Sequence, residues 1–363
     1  MLKKILKHGQ LKAWQIYKDQ NREEHKLNYL FWECTLGCNF YCKHCGSSAG
    51  RKTFEGELNT LEIKSVFKEV AEEFDARKIT IAVTGGEPTI RKDIFEVMSY
   101  ARSLGFHWGM VTNGFLVDQD IVENMKQAGM ETVVVSIDGI KNIHDDFRGM
   151  SGAYDHAINA VKLLAKAGFL DDLQITTSVG KQSIDYLEEM YQLFRSTGIT
   201  SWRVMNIDPI GRAEDNDNVL LDKKQLRTLL NFVKEKRKQD KKIEVTYGCA
   251  GYLGLDYERD VRKNYFFCPT GINVASILYN GDIFVCPNVP RRPELIQGNV
   301  RKDSFVDVWN NKFKIYRDKK RTTCDKCSKC DSWEECLGNS FHLWDFDKNK
   351  PKICHLDWIN EKD

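Results

Sequence analysis

The chain has 363 residues, of which 54 are basic and 52 acidic, for a formal charge of +2. That balance provides no overall field to attract nucleic acid, and the longest apolar runs, such as Val133 to Val135, fall far short of the roughly 18 residues of a membrane span. No signal-peptide apolar core opens the chain, so a cytoplasmic protein is expected, with one large α/β domain and a smaller one because single cores stop growing at roughly 250 to 300 residues.

Residues 1–27 are basic, with Leu2, Ile5, Leu6, Leu11 and Trp14 in helical spacing. This predicts a helix that either covers the next domain or lies on a membrane surface. Short β-rich runs follow at Tyr29 to Glu33, Ile79 to Thr84, Phe106 to Val111, Thr132 to Ile137, Asp172 to Ser178 and Trp202 to Asn206. Helical patterns at Thr60 to Phe74, Ile94 to Leu104, Asp118 to Ala128, Tyr154 to Ala167 and Ile184 to Ser196 separate them. Alternation of this kind predicts an α/β fold with a parallel sheet and right-handed crossovers, in which chemistry gathers at the C-terminal ends of the strands. Leu221 to Lys242 reads as a helix ending in a solvated basic face that closes this domain. The expected division is 1–27, 28–245 and 246–363. Residues 249–363 hold eight of the twelve cysteines. They show strand-like pieces at Ser276 to Tyr279 and Asp282 to Cys286 around an Asn280-Gly281 turn, and a helix from Phe305 to Arg317. A segment so rich in cysteine and poor in regular structure is expected to depend on bound metal.

Cytosolic thiols stay reduced, so grouped cysteines read as metal ligands rather than disulfides. Directly after the first strand stands Cys38-x3-Cys42-x2-Cys45. Three thiolates on a loop can hold three irons of a cubane cluster and leave the fourth open. The competing arrangement is a zinc site completed by His44, since Cys34 lies on the strand and is expected to face the core. Thr84-Gly85-Gly86-Glu87-Pro88 ends the second strand, where two glycines allow close backbone approach to a ligand and Glu87 can accept hydrogen bonds.

Together these two motifs resemble the radical S-adenosylmethionine superfamily, whose fold is a partial (β/α)6 TIM-like barrel. The resemblance implies that Cys38, Cys42 and Cys45 hold a 4Fe-4S cluster and that Gly85, Gly86 and Glu87 contact the methionyl amino group of S-adenosyl-L-methionine. It extends to Thr112 and Asn113 after the third strand, to Ser136 and Asp138 near the ribose hydroxyls, and to Arg148 as the forked partner of the methionyl carboxylate. Thr177 or Ser178 on the fifth strand, and residues 208–213 along the adenine, complete the cofactor contacts it implies.

The C-terminal pattern Cys268-x12-Gly281-x4-Cys286, Cys327-x2-Cys330-x5-Cys336 and Cys354 is similar to the SPASM extension, which holds auxiliary 4Fe-4S clusters. The resemblance gives Cys327, Cys330, Cys336 and Cys354 to one cluster. A further family cysteine is replaced by Ser340, which leaves a second cluster to Cys268 and Cys286 with Cys324, Cys249 or both. Cys249 reads as a ligand, a hydrogen-atom donor or a plain buried thiol, and paired zinc sites remain the alternative for the whole set.

The implied activity is reductive cleavage of S-adenosyl-L-methionine to a 5'-deoxyadenosyl radical, which takes a hydrogen atom from substrate. Because the extension accompanies peptide substrates, a peptide or protein is expected, with oxidation, crosslinking or epimerisation as the outcome and an electron donor of flavodoxin or ferredoxin type. A small-molecule substrate, or an iron-sulfur protein that only transfers electrons or senses, are the alternatives.

Overall fold

The computed structural model describes residues 2–52, 54–239 and 241–361, and side chains from residue 9 onward. Strands β1 (Tyr29–Thr35), β2 (Thr80–Gly85), β3 (His107–Thr112), β4 (Thr132–Ser136), β5 (Asp172–Val179) and β6 (Ser201–Asn206) form where β-branched and aromatic residues run together. Each pairs in parallel with the next. The helices are α1 (Leu2–Glu24), α2 (Thr60–Glu73), α3 (Ile94–Ser103), α4 (Gln119–Gln127), α5 (Lys141–Arg148), α6 (Ala153–Ala167), α7 (Leu187–Arg195) and α8 (Lys223–Gln239). Helix α2 starts with a reciprocal cap: the Asn59 side chain accepts from the amides of Leu61 and Glu62, while Glu62 accepts from the Asn59 amide at 2.7 Å. Trp32, Trp108 and Trp202 are fully buried in the core that α2 to α8 share with the sheet.

The sheet stays open, as a partial barrel does. Strand β7 (Glu244–Tyr247) joins β6 in parallel at one edge, and β8 (Val274–Ile277) joins β1 in parallel at the other. Beyond β8, β9 (Asp282–Phe284) and β10 (Gly298–Asn299) continue antiparallel. The turn before β9 is the expected one, with Gly281 at φ +88°. Residues on both sides of 245 therefore contribute to one sheet.

Four expectations need correction. The helix expected from Phe305 to Arg317 is broken into Phe305–Asn311 and Lys314–Arg317. Helix α5 (8 residues) and strand β7 (4 residues) are short and were not anticipated. The first helix covers the C-terminal segment rather than the barrel: the Trp14 indole donates to the Phe266 carbonyl at 3.2 Å, Lys18 to the carbonyl of Glu334 at 2.9 Å, and Arg22 to that of Arg317 at 3.2 Å. The side chains of Leu2, Ile5 and Leu6 lie outside the described residues. Finally, the basic end of α8 is not uniformly solvated, because Lys236 is buried, pairs with Glu188 at 2.7 Å and sits 4.9 Å from the Tyr191 ring centre. Among the described residues no helix is long and apolar enough to cross a membrane.

Lys236→Ala should therefore destabilise the protein by about 1 kcal/mol through lost stem packing and cation-ring contact. The exposed Lys238→Ala should stay within about 0.5 kcal/mol of the parent. Denaturant unfolding of the two variants side by side checks the contrast, and equal midpoints would contradict it.

Candidate active site

The loop after β1 has no regular structure of its own, so its position comes from bonds to its neighbours. The Cys38 amide donates to the Gly50 carbonyl at 2.9 Å and the Lys43 amide to that of Phe147 at 2.9 Å. From the next strand, the amides of Gly86 and Glu87 donate to the carbonyls of Thr35 and Gly37 at 2.8 and 2.9 Å. Only glycine allows this approach: a Cβ at 85, where φ is +134°, would lie 2.2 Å from the Thr35 oxygen, and one at 86 would lie 1.9 Å from that of Gly37. The glycine pair thus serves backbone packing against the cysteine loop as well as lining the site.

On its other side the loop is clamped by Arg212, a contact sequence reasoning missed. Its amide donates to the Cys45 carbonyl at 3.1 Å, and its guanidinium to those of Cys42 and Ala49, each at 2.7 Å. The guanidinium also stacks 4.1 Å from the Tyr41 ring centre. Residues 208–213 were expected along the adenine, and nothing in the local pattern singles out an arginine that bonds backbone 170 positions away.

One cavity is lined by Cys38, Cys42 and Cys45 together with Gly85, Gly86, Thr112, Asn113, Ser136 and Arg148. Burial pushes the Cys38 thiol up to about 12, and it pushes Cys42 upward against the opposing pull of Arg148. Thiols so placed ionise only when a cationic centre takes the proton's place, as iron does. At the same site the buried Nδ2 of Asn39, Nδ1 of His44 and Nε of Arg148 have no partner. This donor set, beside three thiols, fits an iron-sulfur cluster and an acceptor-rich ligand. His44 pairs its Nε2 with Asp138 at 3.3 Å and lines the same cavity. Among the described residues no three His, Cys, Asp or Glu side chains are grouped as ligands of a single metal ion.

Several residues expected at the cofactor make bonds that hold the site's walls. The buried Glu87 carboxylate accepts from Thr89 Oγ1 at 2.6 Å, Thr112 Oγ1 at 2.7 Å and the Asn113 amide at 2.7 Å, which spends its acceptors on the ends of β2 and β3. Asp138 is fully buried; it pairs with Arg148 at 2.6 Å and accepts from the Ser178 amide at 2.9 Å. Burial would raise the Asp138 carboxyl, but Arg148 and His44 outweigh it and hold it well below the usual carboxylate range. Its work is to aim Arg148, which also reaches Cys42 Sγ at 3.8 Å. Thr177 is used in the core, donating to the Ile137 carbonyl and accepting from the Trp202 indole. Cys34 is fully buried on β1, as its strand position predicts.

The C-terminal cysteines fall into two groups. Cys327, Cys330, Cys336 and Cys354 line one cavity with Tyr252 and His355. Cys324, expected with Cys268 and Cys286, lies beside this group instead, within hydrogen-bonding reach of the Cys327 thiol. Cys249 is solvent-accessible by area, yet burial pushes its thiol up to about 12 and Cys268, Asp208, Arg262 and Arg203 all act on it. Cys268 lies near enough to act on the Cys249 thiol, and both act on Cys286, so the three form one group. Ser340 is buried and donates its hydroxyl to the Ala250 carbonyl at 2.9 Å.

His144 gives the site a pH dependence. It accepts from the Asp138 amide at 3.1 Å, and burial, reinforced by Arg148, lowers it to about 4 from 6.5. Its neutral form is favoured in the folded state, so this stability is fully present above about 6.5 and is lost as pH falls towards 4, at up to about 1.4 kcal/mol per pH unit. His144→Asn should flatten the loss between pH 7 and pH 5 in denaturant unfolding; an unchanged slope would place the dependence elsewhere.

Comparison with known proteins agrees with this geometry. Residues 32–194 match the radical SAM superfamily model, and residues 268–331 match the SPASM iron-sulfur cluster-binding domain. The chain is 30% identical over 326 residues to an AdoMet-dependent heme synthase of Methanosarcina barkeri, covering 85% of this chain and 90% of that protein. It is 28% identical over 313 residues to the mycofactocin maturase MftC of Mycolicibacterium smegmatis, covering 85% and 76%. In fold it is similar to native anSMEcpe with bound AdoMet, at a TM-score of 0.70 and 19% identity over 92% of this chain and 93% of that one. The chain belongs to the radical SAM superfamily, and its C-terminal segment carries the iron-sulfur cluster-binding domain that extends it.

Proposed function

We propose that this protein cleaves S-adenosyl-L-methionine reductively at Cys38, Cys42 and Cys45 and abstracts a hydrogen atom from a peptide or protein. The reading is carried by the convergence of those three thiols, the glycine pair and the Arg148 fork on one cavity at the C-terminal ends of the strands. When bound, a 4Fe-4S cluster with one open iron supplies the electron that breaks the carbon-sulfur bond and so generates the hydrogen-abstracting 5'-deoxyadenosyl radical. The chain's own groups orient and enclose. Arg148, fixed by Asp138, offers its free Nε to a carboxylate, while Ser136 and Asn113 line the wall beside it. Glu87 holds the ends of β2 and β3 in place. Electrons come from an external donor of flavodoxin or ferredoxin type.

A peptide substrate is supported by the cluster-binding extension and by the mycofactocin maturase relatives. A small-molecule substrate is the second reading, favoured by the heme synthase and the Fe-coproporphyrin III synthase among the relatives. Supplying the reconstituted enzyme anaerobically with dithionite, S-adenosyl-L-methionine and either peptides or Fe-coproporphyrin III separates the two by which pool changes mass.

In that assay Cys42→Ala should abolish 5'-deoxyadenosine formation while leaving far-UV circular dichroism unchanged, because the thiol sits on a loop. Cys330→Ala should retain uncoupled cleavage yet form no product. Identical behaviour of the two variants would show that the cysteine groups do not divide the work, and wild-type protein with intact clusters but no 5'-deoxyadenosine would overturn the enzymatic reading.

A further inference from the structure

We propose that Arg203, inside the open barrel, anchors a carboxylate of the substrate, which rests on the cavity of Cys38, Cys42 and Cys45 being where that substrate reacts.

Trp202 on β6 turns towards the helices, where its ring sits among those of Tyr191, Phe194 and Phe232. Successive side chains on a strand alternate, so Arg203 points the other way, into the concave face of the sheet. The register places it beside the site. Ser136, which lines the cavity of the three cysteines, pairs with Thr176 on β5, and Thr176 pairs with Arg203. Two strand spacings put the Arg203 backbone on the order of 10 Å from that of Ser136. Strand β6 is paired on both sides, so the surface that Arg203 keeps accessible belongs to its side chain.

This guanidinium lacks a counter-charge. Its Nε is buried without a hydrogen bond, and among the described residues Asp172 and the Cys249 thiol act on it only through space. The acids on the same face of the sheet are already taken: Asp172 accepts from Ser201 Oγ at 2.9 Å, Glu244 pairs with Lys263 at 2.7 Å, and buried Glu33 pairs with Arg291. A cation held out of bulk water without a partner is costly, and an anion arriving beside it removes that cost. Two neutral groups stand with it. The buried Thr176 hydroxyl also has no partner, and the Tyr29 phenol is near enough for the guanidinium charge to act on it. One forked cation with neutral hydroxyls matches the single charge and two oxygens of a carboxylate rather than the double charge of a phosphate. A peptide offers that group at Asp, Glu or its C-terminus, and a coproporphyrin offers it on its side chains.

Equilibrium dialysis of the full-length reconstituted protein, without air or reductant, tests this with two matched pairs of probes. One pair is Fe-coproporphyrin III and its tetramethyl ester. The other is a peptide library and the same library with Asn, Gln and a C-terminal amide in place of every carboxylate. The parent should hold the acid form of one pair about tenfold or more tighter than its neutral twin, and the pair that responds identifies the source of the carboxylate. Arg203→Gln should remove that preference and leave the neutral twin's affinity unchanged, while Arg203→Lys, which keeps the charge and loses the fork, should fall between. Thr176→Val provides a second measurement should Arg203→Gln not fold, with a several-fold loss for the acid form alone. A preference that persists in Arg203→Gln, equal weakening of both twins, or a parent that prefers neither acid form would overturn the anchor. Carboxylate binding through Arg203 by a protein that forms no 5'-deoxyadenosine would instead overturn the enzymatic reading and leave the carboxylate site in place.

Discussion

The contact on which the site depends is between two backbones. The loop carrying Cys38, Cys42 and Cys45 meets the turn after β2 through the Gly86 and Glu87 amides, and a methyl at 86 would sit 1.9 Å from the Gly37 oxygen. Reaching ordinary contact distance would move the loop by more than about 1 Å. A displacement of that size at a reacting centre costs on the order of 100-fold in rate. Gly211 plays the matching part on the other side, since a Cβ there would meet the Cys45 oxygen at 2.3 Å. The loop is therefore held by glycines in two neighbouring segments and by the Arg212 guanidinium, with no helix or strand of its own.

Charge is distributed differently at the two ends of the molecule. Near the first cysteine group, buried Asp138 is kept ionised by Arg148 and His44, and the pair sets where the guanidinium fork points. Breaking such a buried pair by removing one member is costly, whereas a complete pair contributes little net stability. Its value here is orientation. At the C-terminal end the cations come from α1 and from Arg321; they bond backbone carbonyls, with Glu335 beside Lys18 and the Cys268 side chain beside Arg321.

The six parallel strands were legible in the sequence because β-branched runs such as Thr132 to Ser136 alternate with amphipathic helices. Helix α5 was not, since it is only eight residues long and its few apolar residues, Ile143 and Phe147, stand among charged ones. The motifs singled out the three cysteines and the glycine pair, whose spacing is local and which line one cavity. They could not reveal that Glu87 spends its oxygens on Thr89, Thr112 and Asn113, because lone-pair occupancy depends on a strand 25 residues away. Lys236 was misread for a related reason: composition counts its charge and cannot see Tyr191 beneath it. Arg212 left no signal, as its partners are main-chain oxygens.

The first cysteine loop and the Cys249, Cys268 and Cys286 group hang from one sheet. Cys38 follows β1 by three residues and Cys249 follows β7 by two, while β8, which leads through β9 to Cys286, pairs directly with β1. A strand pair is stiff compared with a linker, so the first loop and the Cys249, Cys268 and Cys286 group are joined through paired strands rather than through a flexible joint. The contact of His342 with Asp208 at 3.1 Å and the ion pair of Arg291 with buried Glu33 tie the C-terminal segment to the barrel a second time. The C-terminal segment is thus fixed to the barrel through strand pairing with β1 and through side chains that reach β1 and the residues just after β6.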